Sequence, residues 1–169
     1  VYVQRVNPAR AADVIAALLD VGAADETVTG LLAVIPPKYP LDALVQALEE
    51  RHRLALLRPY LEARIRAEPN APAGHTALLK VLVESGVREQ AETMLRENRL
   101  YEPLSVGLFC EQRGEPDLAL LAYARGQCDA ELLRVTSEHG LYRQQAAYLL
   151  RRRDANLWRH VLEAPSAGR

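Results

Sequence analysis

Three glycines constrain this chain more than any other feature. Gly86, Gly114 and Gly140 stand 28 and 26 residues apart, and Gly126 falls between the last two, at intervals of 12 and 14. Apolar residues near them recur at i, i+3 and i+4: Leu118, Leu121 and Ala122 after Gly114, and Leu132, Leu133 and Thr136 before Gly140. That is the spacing of one buried helical face. A glycine just past the last turn of a helix supplies a left-handed residue without a Cβ clash, so each of the four is expected to end a helix. An interval of 12 to 14 holds one short helix and its turn, and two intervals make a hairpin of 26 to 28 residues. Turns this short force sequential helices to lie antiparallel. One hairpin cannot bury its own apolar face, so successive hairpins must stack. The expected fold class is all-α, a right-handed α-α superhelix (α-solenoid) of short stacked helix hairpins.

The same punctuation runs along the chain. Asn7-Pro8 reads as an N-cap followed by proline at the first helical position. Val14, Ile15, Leu18 and Leu19 then form a stripe ended by Gly22, and Val1–Val6 reads as the end of an earlier helix. Val28, Leu31, Leu32 and Ile35 follow, stopped by Pro36-Pro37, and Leu41, Leu44, Val45 and Leu48 form the next face. Leu54, Leu57, Leu61 and Ile65 continue helically, but Pro59 lies inside the run. A proline there removes a hydrogen bond and clashes with the preceding turn, so a break is expected, with Pro59 opening the second piece. Leu78, Leu79, Leu82 and Val83 precede Gly86, and Ala91, Met94 and Leu95 precede Asn98. Val106, Phe109 and Cys110 should face inward. Tyr148 with Leu149, and Leu157, Trp158, Val161 and Leu162, form the last two faces. Asp25, Asp129 and Asp154 are each expected to cap a helix N-terminus.

Beyond this pattern, the chain resembles the leg of the clathrin heavy-chain family along nearly its whole length. The resemblance is carried by VYVQRVNPAR at Val1–Arg10, LLDV at Leu18–Val21, PLDALV around Leu41–Val45 and RHRLALLRPYLEAR at Arg51–Arg64. LREN at Leu95–Asn98, Val106-Gly107, Cys110-Glu111, Arg113 and AYARGQCD at Ala122–Asp129 extend it, and Glu131-Leu132, Tyr148-Leu149, Arg151, Arg153 and Leu157-Trp158 complete it. No single match is specific; their order and spacing together are. Arg99-Leu100, where the family tends to have a proline and an aromatic residue, depart from the pattern, as do Ala23–Glu26 and Glu68–Ala73. The resemblance implies a segment of the distal leg. Residues 1–24 would end a preceding repeat, 25–164 would form one clathrin heavy-chain repeat of about ten short helices, and 165–169 a frayed tail. It further implies a strut in a polyhedral vesicle coat on the cytoplasmic face of coated vesicles and coated pits. Its partners would be other heavy-chain legs of a trimeric parent, with light chain on that parent but not on this segment, and membrane reached only through adaptors. Subunits of vesicle-tethering complexes share such repeats and are the alternative.

Chemistry is sparse. The net charge is −1 and 25% of residues are charged, which gives no electrostatic reason to expect nucleic acid or an anionic membrane. No apolar run approaches the roughly 18 residues of a membrane span. Val1 is not an initiator methionine and its surroundings are not a signal peptide, as expected of a segment cut from a longer chain. Two cysteines, Cys110 and Cys128, fit a reducing compartment, with Cys110 a small core residue. His52, His75, His139 and His160 show no metal-ligand spacing, so no metal and no cofactor are expected. No phosphate loop or acid–base pair points to an enzyme. The one basic run, Arg151-Arg152-Arg153, is the candidate protein-contact site, set against the simpler role of cations at a helix C-terminus.

Overall fold

The structure is a computed structural model that describes residues 10–163. Asn7-Pro8, the helix expected over Val1–Val6 and the tail 165–169 lie outside the described residues. Among the described residues there are eleven α-helices and no strand. They are α1 Ala11–Asp20, α2 Asp25–Val34, α3 Leu41–Glu49, α4 Arg58–Ala67, α5 Pro72–Glu84, α6 Arg88–Glu97, α7 Pro103–Gln112, α8 Pro116–Gly126, α9 Asp129–Glu138, α10 Tyr142–Arg152 and α11 Ala155–Glu163. A 3-10 turn, Leu54–Leu57, precedes α4, so the helical run does break and Pro59 sits in the first turn of its second piece, as expected. The chain divides into two compact units, Val1–Glu102 and Pro103–Arg169.

Within each unit the all-α arrangement is a stack of antiparallel hairpins. In the first, α1 lies along α3 and α3 along α5, while α2 meets α4. Helix α5 is the longest of the set and the most enclosed; His75, Thr76, Ala77, Leu79, Val81, Leu82 and Val83 are all buried. In the second unit α7 to α10 pack in succession, around Val106, Phe109, Cys110, Leu118, Tyr123, Leu132, Val135 and Tyr148.

One turn recurs. Gly22, His52, Gly86, Gly114 and Gly140 follow α1, α3, α5, α7 and α9, and all five have positive φ. Each lies in a pair of bonds that closes the helix end: Ala23 N–H to Leu18 O, Arg53 to Leu48, Val87 to Leu82, Glu115 to Cys110 and Leu141 to Thr136, with a second bond from the positive-φ residue to the carbonyl three residues before it. These are Schellman ends, which satisfy carbonyls the helix leaves orphaned. Gly86, Gly114 and Gly140 therefore do what their spacing suggested. His52 belongs to the series without being glycine.

Gly126 does not. It remains helical as the last residue of α8, and Gln127 takes the left-handed conformation at φ 55°. The reason for glycine is proximity: a Cβ on Gly126 would lie 2.5 Å from Cβ of Pro103 and 3.0 Å from Sγ of Cys128. The hairpin step also varies. The odd helices begin at residues 11, 41, 72 and 103, steps of 30 or 31, and then at 129 and 155, steps of 26. The longer steps come from proline-containing connections such as 35–40 and 68–71 in the first unit.

Candidate protein-contact surface

The basic run lies at the end of α10. Gln145, Tyr148 and Leu149 bury one face of this helix. Gln145 is tied to α9 through Nε2, which donates to Thr136 Oγ1 at 2.9 Å and to Ser137 Oγ at 3.2 Å. Arg152 flanks that face. Its Nε donates to Asp129 Oδ1 at 3.0 Å, its Nη2 to Asp129 Oδ2 at 2.8 Å, and its Nη1 to Gln127 Oε1 at 3.2 Å. The Tyr148 hydroxyl donates to Asp129 Oδ1. The Arg152 bonds hold the Asp129 carboxyl below its ordinary range, with burial opposing and Tyr148 assisting. Burial, then the neighbouring carboxylate, pushes the Tyr148 phenol up.

Of the three candidate arginines, Arg152 is thus bound within the chain. Arg151 and Arg153 are exposed, and Arg153 closes α10 in a left-handed conformation, its N–H donating to Leu149 O at 3.0 Å. Asp129 and Asp25 are first residues of α9 and α2, not side-chain caps. Asp129 is taken by Arg152 at the end of the next helix, α10, and Asp25 by Arg53, which follows α3. Asp154 does cap: its Oδ1 accepts from Asn156 N–H at 2.8 Å.

A related tie joins α7, α8 and α9. Glu111 on α7 accepts from the Tyr123 hydroxyl on α8 and from Arg134 Nη2 on α9 at 2.8 Å. The first unit repeats the theme: Asp20 to Arg51 at 2.8 Å, Glu49 to Lys80 at 2.9 Å, and Glu84 accepting from Leu54 N–H at 2.7 Å. Their separations of 31, 31 and 30 residues match the hairpin step there. Each of these three first-unit ties joins residues about one hairpin step apart. Such partners have no local sequence signal, which is why the sequence reading missed them.

His75 is buried and hydrogen-bonded through both ring nitrogens. Pro69 O can only accept, so Nε2 at 2.7 Å donates to it, and Nδ1 accepts from Asn98 Nδ2 at 2.9 Å. It joins the loop before α5 to the end of α6. Cys110 is buried and its thiol is pushed up to about 12, chiefly by burial. Among the described residues no group of three or more His, Cys, Asp or Glu could hold a metal ion, and no helix is long and apolar enough to cross a membrane. An open depression of about 880 Å³ lies against α6, lined by Leu82, Glu89, Gln90, Thr93, Met94, Glu97, Asn98, Arg99 and Leu100. It gathers no reactive constellation. What these surfaces offer is side-chain contact spread along helices.

Residues 32–167 match the family described as a region in clathrin and VPS. The chain is 43% identical to Clathrin heavy chain 2 of Homo sapiens over 169 residues, 100% of this chain and 10% of that one. It is 43% identical to the Clathrin heavy chain of Drosophila melanogaster over 162 residues, 96% of this chain and 10% of that one. To the Clathrin heavy chain of Dictyostelium discoideum it is 40% identical over 161 residues, 95% of this chain and 9% of that one. The chain spans about a tenth of the length of the curated relatives it matches.

Proposed function

This chain belongs to the clathrin repeat family, and from that premise we propose that it serves as a structural leg segment of a clathrin heavy chain, a stiff strut in the coat of transport vesicles. The observation that carries this is 43% identity to a clathrin heavy chain over the full length of this chain. A catalytic domain would concentrate its chemistry in a pocket. Here the polar side chains that the fold buries or half-buries are spent on joining helix to helix: Asp129 with Arg152, Glu111 with Arg134, Glu49 with Lys80. Ties of this kind resist bending at each interface, which is what a strut requires.

On this reading the segment is distal leg. Residues 25–164 form one repeat and 1–24 close the preceding one. It works without catalysis and without a cofactor. Its partners are legs of neighbouring heavy chains, joined by many weak contacts that a lattice makes strong. Light chain binds the trimeric parent elsewhere, nucleic acid plays no part, and adaptors stand between the segment and the membrane. The protein works on the cytoplasmic face of coated pits and vesicles.

The test is affinity purification of the tagged full-length parent from its own cells. Recovery of a trimeric heavy-chain particle with light chain and vesicle adaptors is expected. Recovery of a tethering complex without light chain would overturn the coat reading and leave the helical repeat standing.

A further inference from the structure

Two exposed helix faces carry charges that no other described residue neutralises, and the two match. On α10, Arg143, Ala147 and Arg151 form a row at i, i+4 and i+8 beside a second row, Tyr142, Ala146 and Leu150. Tyr142 is 63% and Leu150 66% exposed, so this flank is apolar as well as basic. Arg143 and Arg151 are exposed and enter no ion pair among the described residues. On α6, Glu89, Thr93 and Glu97 form a row with the same spacing, exposed along the rim of the depression that holds Leu82, Met94 and Leu100. Glu92 on the same helix takes both Arg88 and Arg96, whereas Glu89 and Glu97 pair with no cation. Arg99 is the one cation among the residues lining the depression.

Eight helical residues span about 12 Å, so the two arginines and the two glutamates stand equally far apart. We propose that the outer face of α10 docks on α6 of a second copy of this chain, Arg143 and Arg151 pairing with that copy's Glu89 and Glu97 while Leu150 enters the depression beside Met94. The contact is heterologous: each copy offers both faces, and they differ. One helix face per side buries less than the roughly 1,200 Å² of a stable complex, so a dissociation constant on the order of 0.1–1 mM is expected for a single contact. Exposed guanidinium–carboxylate pairs also weaken as salt rises. As a strut contact the inference deepens the coat reading and rests on it.

A charge swap tests it. Self-association of the 169-residue chain is measured by sedimentation equilibrium, unmodified, as Arg143→Glu/Arg151→Glu, and as Glu89→Arg/Glu97→Arg. Each variant alone should associate about tenfold more weakly, and the two mixed should return to within about twofold of the unmodified chain, because the new glutamates then face the new arginines. All four positions are exposed, so unchanged melting temperatures show that folding is intact. A chain that stays monomeric up to millimolar concentration would overturn the proposal. So would a mixture no stronger than its components, or arginines that bind phosphatidylserine vesicles in place of a second copy. Those failures leave the coat reading to the purification experiment.

Discussion

Gly107 and Gly30 are both mid-helix glycines, and the structure assigns them opposite responses to the same substitution. Gly30 lies in α2 with nothing within 4 Å of a built Cβ. Alanine there gains helix propensity alone, about 1 kcal/mol. Gly107 lies in α7, and a Cβ would stand 2.2 Å from Cε1 of Tyr123 and 2.6 Å from its Cδ1 and Cζ. Carbon atoms are comfortable near 3.5–4.0 Å, so the ring must retreat by roughly 1.3 Å. Tyr123 is fully buried and its hydroxyl is held by Glu111. If α7 and α8 part to make room, overpacking costs about 1–3 kcal/mol. If the ring leaves, the loss includes about 1.5–3 kcal/mol of burial and about 1.5–3 kcal/mol for a bond to a charged acceptor. Set against the 1 kcal/mol of propensity, the cheaper route leaves Gly107→Ala destabilised by about 1 kcal/mol, where Gly30→Ala stabilises. Stacked hairpins unfold in parts, so the assay is amide hydrogen exchange read separately in α2 and in α7 with α8. Adding Tyr123→Leu to Gly107→Ala should recover part of the loss. A Gly107→Ala chain as protected in α7 and α8 as the original would refute the reasoning.

Other predictions follow from single contacts. Gly140 has φ +66°, so Gly140→Val should lower stability by about 2 kcal/mol, since a β-branched residue resists that conformation; an unchanged melting temperature would show that another residue carries the turn. The Asp129 carboxyl is depressed in the folded state, so its stabilisation is complete above the ordinary carboxylate value near 4 and is lost as pH falls through its lower folded value. Asp129→Asn should therefore melt below the original chain at pH 7 and level with it once pH lies under both values; a gap that persists in acid would mean that the carboxylate's charge is not what matters. Cys110 is buried with its thiol raised to about 12, whereas Cys128 is half-buried. A thiol reagent at neutral pH should label Cys128 in the folded chain and Cys110 only on unfolding, as read by mass spectrometry; native labelling of Cys110 would contradict its place in the core.

The sequence by itself determined what is local. Helix ends at Gly86, Gly114 and Gly140, the break before Pro59, the cap at Asp154 and the inward faces of α7 and α9 each depend on residues a few positions apart, which fix backbone angles and the side of a helix that is apolar. Resemblance along the chain, likewise a property of residues in order, carried the family. Tertiary structure alone decided which residues meet across hairpins. Gly107 and Gly126 look like turn residues or chance, but they are glycine because Tyr123 and Pro103 arrive from another helix. Asp129 looks like a cap until Arg152, 23 residues later, folds onto it and leaves only its neighbours in the basic run facing solvent. His52 carries no glycine signal, yet it takes the left-handed turn that closes α3 with the same pair of bonds. Pair interactions at separations of 23 to 31 residues leave no periodic trace in one sequence. They exist only once the stacking of helices has brought those positions together.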